Sequence, residues 1–97
     1  MMKEIQTILI DGSLITSREE FFEAVRSQLP PGLVMGSNLD ALHDALTTIS
    51  SFTTLRVLGA EILESNLGRD WQRILRVIND SLDENYNLSL EFEESEL

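Results

Sequence analysis

The sequence predicts a small α/β domain: a three-stranded parallel sheet with helices packed mainly on one face. The expected order is strand, two helices, strand, two helices, strand. Three short runs have the alternating, β-branched character of strands: "IQTILI" at residues 5–10, "TTLRVL" at 53–58 and "YNLSLEF" at 86–92. The segments between them are far longer than hairpin loops and carry helical periodicity, and crossovers of that length favour parallel pairing. Right-handed crossovers place both helix pairs on the same side when the strand order keeps one direction.

Each element has a local reason. Asp11 and Gly12 supply turn chemistry after the first strand. Ser17 and Glu20 have the S-x-x-E spacing of a capping box, and Phe22, Val25 and Leu29 recur on one helical face. Pro30 and Pro31 cannot continue that helix, and residues 32–36 read as a short loop. Ser37 or Asn38 then caps a second helix that runs to about Thr48. After the second strand, "AEILESN" predicts a short helix closed by Gly68. Trp71, Ile74, Leu75, Ile78 and Leu82 follow at the spacing of an amphipathic helix, with Trp71 expected in the core.

Composition limits the function. The 97 residues fit one domain, 1–97, with the acidic end at 93–97 expected to fray. Hydrophobic residues make up 42% and charged residues 25%, the mix of an ordinary globular protein. No apolar run approaches the roughly 20 residues that span a bilayer. Residues 1–12 lack the long apolar region of a secretory signal. There is no cysteine, hence no disulfide and no thiolate metal site. A cytoplasmic protein without cofactor or metal is expected. With 17 acidic against 7 basic residues, the net charge of -10 repels phosphate backbones and attracts a basic protein. Direct nucleic-acid or membrane binding is not expected.

The chain's single histidine lies between two acids in "GSNLDALHDAL", residues 36–46. At about 100° per residue, Leu39, Leu42, Leu46 and Ile49 form the core face of this helix. Asp40, His43, Asp44 and Thr47 gather on another face, pointing away from the core. Asp40 complements the helix dipole from the first turn. Asp44 does not: it is mid-helix, repels Asp40 one turn away, and is a poor interior helix former. Three readings follow: a solvated face, an acid–base or metal site built from Asp40, His43 and Asp44, or a negative surface for a basic partner. A metal site needs three or four ligands, and an acid–base pair needs a concave pocket that a convex helix face lacks. No nucleophile motif, phosphate loop or zinc spacing accompanies the cluster. The expected protein is therefore not an enzyme.

The same stretch resembles the signature of the barstar family, intracellular inhibitors of bacterial ribonucleases. The pattern is matched by Gly36, Asn38, Leu39, Asp40, Ala41, Leu42 and Asp44, with His43 where an aromatic is usual. The shared element order extends the resemblance from about Ile5 to Phe92. It implies a partner, a basic ribonuclease, whose active site is plugged by this loop and helix. The acid at Asp44 would enter the pocket that normally holds the RNA phosphate, supported by Asp40 and by a further acid near the end of the last long helix, Asp80. Val34 and Met35 stand where the family usually has an aromatic before the glycine, so partner specificity is expected to have shifted. Gly36 and Asn38 are expected to set the loop turn and the helix start. The resemblance leaves an acidic interaction module with a non-ribonuclease target as the alternative, and a monomer is expected.

Overall fold

A computed structural model describes residues 5–94. Three strands, β1 (Gln6–Asp11), β2 (Thr53–Leu58) and β3 (Leu88–Glu93), form a parallel sheet in the order β1-β2-β3. Helices α1 (Arg18–Arg26) and α2 (Leu39–Thr48) connect the first two strands, and α3 (Ala60–Leu67) and α4 (Arg69–Glu84) connect the second pair. The register aligns Ile8 with Leu55 and Leu90, and Ile10 with Val57 and Phe92. Period-2 alternation puts these residues on one face, and Ile8, Ile10, Leu55 and Val57 are fully buried there beneath the helices. The opposite face carries Leu9, Arg56, Ser89 and Glu91 toward solvent, and Arg56 donates to both carboxylate oxygens of Glu93 at 2.6 Å. The one-sided packing expected from the crossovers is therefore the packing observed. No helix among the described residues is long and apolar enough to cross a membrane.

The first strand ends where Asp11 Oδ1 accepts from the backbone and hydroxyl of Ser13, at 3.0 and 2.7 Å, closing a 3-10 turn over Gly12–Leu14. Gly12 must be glycine, because a Cβ there would lie 2.5 Å from the Gly59 carbonyl oxygen and 2.8 Å from that of Leu58. Gly68, at φ +56°, separates α3 from α4 through a left-handed backbone that other residues resist. Of the predicted stripe of α4, Trp71, Ile74 and Ile78 are buried and Leu75 and Leu82 are half-buried; Ser81, outside the predicted stripe, is buried too and returns its hydroxyl to the Val77 carbonyl at 2.8 Å.

Strand β1 is shifted by one residue from the expected 5–10, and three further boundaries differ from the sequence expectation. Helix α1 stops at Arg26, short of Pro30, because Gln28 has another use. Its side chain accepts from the Leu9 N–H and donates to the Leu9 carbonyl, both at 2.8 Å, and so seals the free edge of β1. Strand β3 begins at Leu88 and not at Tyr86, because residues 85–87 form a turn. Buried Asn85 donates to the carbonyls of Leu46 and Ile49, both at 2.9 Å, and its own Oδ1 accepts from the Asn87 N–H. Glu93, the first residue of the acidic end expected to fray, belongs to β3, and its carbonyl accepts from the Gly59 N–H; residues 95–97 lie outside the described residues. Replacing Asn85 by Leu removes the Asn85 donor from the Leu46 carbonyl and leaves the Ile49 carbonyl only the longer bond from Asn87 Nδ2, at 3.3 Å. It should lower stability by about 1–3 kcal/mol in a denaturant melt.

The cap of α1 also departs from its motif. Ser17 Oγ accepts from the Glu20 N–H as expected, but Glu20 reaches past Ser17 to the N–H and hydroxyl of Thr16, at 2.9 and 2.6 Å. These hydrogen bonds, the side-chain one first, hold the Glu20 carboxyl below its ordinary range. A carboxyl lowered in the folded state stabilises above its unfolded pKa, and that contribution is lost as pH falls through the folded value. Wild-type protein should therefore lose melting temperature, relative to Glu20→Gln, as pH drops through and below the ordinary glutamate range near about 4.3. Parallel pH profiles of the two melts that never converge would contradict this.

Candidate functional site

Asn38 caps α2, its Oδ1 accepting from the Ala41 N–H at 2.8 Å. Buried Leu42, Ala45 and Leu46 fix how the helix is rotated, and this turns Asp40 and Asp44 outward, where both are exposed. His43 and Thr47 are half-buried at the margin. Thr47 bonds its hydroxyl to the His43 and Asp44 carbonyls, so its side chain is turned back onto its own helix.

The helix beside α2 completes the surface. Both α2 and α4 lead into parallel neighbouring strands, so they run in the same direction, and they pack against each other. His43 Nε2 is paired with Glu84 Oε2 at the end of α4, and Asn85 ties the same end to α2. Asp80 is exposed one turn before Glu84. Glu84 thus meets the α2 stripe through His43 at the seam, and Asp80 and Asp83 are exposed on the same end of α4. Among the described residues no base reaches Asp40, Asp44 or Asp80. Glu84 was not among the candidates from sequence; its only signal was the four-residue spacing from Asp80.

The loop before α2 divides its two apolar candidates. Val34 is 90% exposed, whereas Met35 is 5% exposed and belongs to the core. Met35 thereby leaves the set of side chains a partner can touch in this conformation. Its carbonyl accepts from Arg26 Nε at 3.0 Å, and Arg26 also bonds Ser37 Oγ, so α1 holds the loop from one side. Gly36 does not set the turn as expected: its φ is not positive, and a Cβ there would make only ordinary contacts, 3.7 Å from Ala41 Cβ and Asn38 Nδ2. The fold leaves the absence of a side chain at 36 unexplained.

A depression of about 460 Å³ lies away from the face that carries Asp40 and Asp44, between β1 and α1, lined by residues such as Leu9, Ile15, Glu20 and Ala24. Among the described residues no three acids or histidines are grouped to hold a metal. Treatment with a chelator should leave the melting temperature unchanged within error; a drop of several degrees would require a metal site.

A search of the curated proteins finds no significant match. The family model described as Barstar (barnase inhibitor) matches residues 5–93, which covers all three strands and all four helices. With that match running from one edge of the sheet to the other, and with Asp40 and Asp44 set on the second of its helices, the chain belongs to the barstar family.

Proposed function

We propose that the chain inhibits a basic ribonuclease by seating the acidic face of α2 and α4 in the enzyme's active site. The observation that carries this reading is the set of exposed carboxylates at Asp40, Asp44 and Asp80, unpaired among the described residues, on two helices locked together by His43, Glu84 and Asn85. A carboxylate can replace phosphate oxygens and accept paired bonds from an arginine. Asp44, mid-helix, enters the phosphate pocket, and Asp40 and Asp80 flank it. A convex, pre-ordered face loses little conformational freedom on entering a cleft. Val34 leads the loop contact, and the small Gly36 lets the enzyme's surface approach the backbone. Met35 supports the loop from beneath. A cytoplasmic location belongs to the same reading.

One observation favours a second reading. The large hydrophobic residue that the loop exposes is Val34, which has no ring to stack, and this suits an acidic interaction module whose target is not a ribonuclease. Immobilised wild-type protein, exposed to a lysate of its own cell, separates the two. Retention of a basic protein with RNA-cleaving activity, lost with the Asp40→Asn, Asp44→Asn, Asp80→Asn triple variant, supports inhibition. Retention of a protein without that activity supports the module.

A further inference from the structure

Helix α4 carries its charges in two blocks on the side opposite its buried face. Arg69, Arg73 and Arg76 occupy the first half, and Asp80, Asp83 and Glu84 the last turns, all exposed. At 100° per residue, Arg69, Arg73, Arg76, Asp80 and Asp83 fall within about 80° of one another. The order runs against the helix dipole, which favours acids at the start and bases at the end. It is also unsatisfied within the chain. Arg18, Arg26 and Arg56 each pair with a carboxylate, while among the described residues Arg69, Arg73 and Arg76 pair with none. Arg76 and Asp80 are one turn apart and still form no ion pair.

The blocks are complementary to each other in reverse. Counted from Ile78, Arg76 and Asp80 are each two residues away, and Arg73 and Asp83 each five. An antiparallel second α4, related by a two-fold axis at Ile78, therefore brings its arginines to the heights of Asp80 and Asp83 on the first, and the reverse. A two-fold contact of this kind uses one patch on both copies and is the commonest form of association. A foreign acidic partner would explain the arginine block alone; only a second copy explains the match between the two blocks.

We propose that two copies of this chain pair reversibly through antiparallel α4 helices, Arg73 and Arg76 of each copy facing Asp80 and Asp83 of the other. This departs from the monomer expected from the sequence. The contact is a single helix stripe about 20 Å long, well below a standard interface, so it forms only at high protein concentration. It covers Asp80 and borders Glu84. If the proposed ribonuclease contact is correct, enzyme and second copy compete for the end of α4; the pairing itself does not depend on that reading.

The test needs only this protein and two variants. R73E/R76E makes the stripe acidic throughout, and D80R/D83R makes it basic throughout; circular dichroism first confirms that both fold. Sedimentation velocity at about 0.15 M salt, where the Debye length is about 8 Å and the net repulsion between copies is screened, compares them up to near-millimolar concentration. Wild type should show a concentration-dependent dimer, and each variant alone should remain monomeric. An equimolar mixture should restore pairing, as a heterodimer about as tight as the wild-type dimer, because every facing pair is again opposite in sign. A wild type that stays monomeric throughout, or variants that dimerise as wild type does, overturns the proposal.

Discussion

Asp44→Ala should leave the protein folded and remove most of its affinity for the ribonuclease. The side chain is exposed and mid-helix, and among the described residues no base pairs with it. Alanine is the better helix former, and the substitution also relieves the repulsion from Asp40, so stability should hold or rise slightly. In the complex the same change strands the enzyme's arginine. Truncating one member of a buried charge pair costs about 2–5 kcal/mol or more, a range drawn in part from the barnase–barstar complex of this same family. That is a loss of roughly thirtyfold to several thousandfold. Asp40→Ala should cost less affinity and slightly reduce stability, about 0.3–1 kcal/mol, because Asp40 also complements the α2 dipole. Titration and thermal melting of both variants separate the two effects. An Asp44→Ala protein that binds as wild type does would mean that this helix face is only solvated.

Phe21→Ala should have the opposite profile. Phe21 is fully buried and stands edge-on to Phe22, with centroids 5.5 Å apart, and to Trp71 at 6.4 Å. It therefore joins α1 to α4 through the core. Removing the ring forfeits its transfer energy and leaves a cavity, for about 3–5 kcal/mol. Against a total stability of about 5–15 kcal/mol, this should lower the melting temperature by roughly 12 °C or more. Affinity measured well below the new melting temperature should be nearly unchanged, because Phe21 contributes nothing to the acidic face. A stable Phe21→Ala protein would mean that the core repacks around the gap.

Phe21 also marks a limit of reading the sequence. A helix packed on one side buries one stripe, and the spacing of Phe22, Val25 and Leu29 identified that stripe. Phe21 lies about 100° away and is buried because α1 meets the helix layer as well as the sheet. Local patterns carried much of the rest. The bounds of β2, the Asn38 cap of α2 and the buried stripe of α4 follow from alternation, capping chemistry and period 3.6, which need no knowledge of the neighbours. The outward turn of Asp40 and Asp44 followed from the leucines beneath them.

What escaped was whatever depends on how distant elements meet. Glu84 joins the acidic face only because α4 lies beside α2, 41 residues away in sequence from His43. Gln28 stops a helix by bonding a strand edge, 19 residues away. Met35 turns inward while Val34 turns outward, and no periodicity governs a loop. The Asn85 turn shortens β3 by satisfying carbonyls at the end of a helix that precedes β2.

The central claim is that the acidic face and RNA occupy the same place on the enzyme. The direct measurement is the apparent inhibition constant of the wild-type chain against the ribonuclease it retains, at increasing RNA concentration. Competition predicts that the constant rises in proportion to RNA once RNA exceeds its own KM, with the maximal rate unchanged at saturation. An inhibition constant indifferent to RNA, or a complex holding enzyme, RNA and this protein together, would contradict the account.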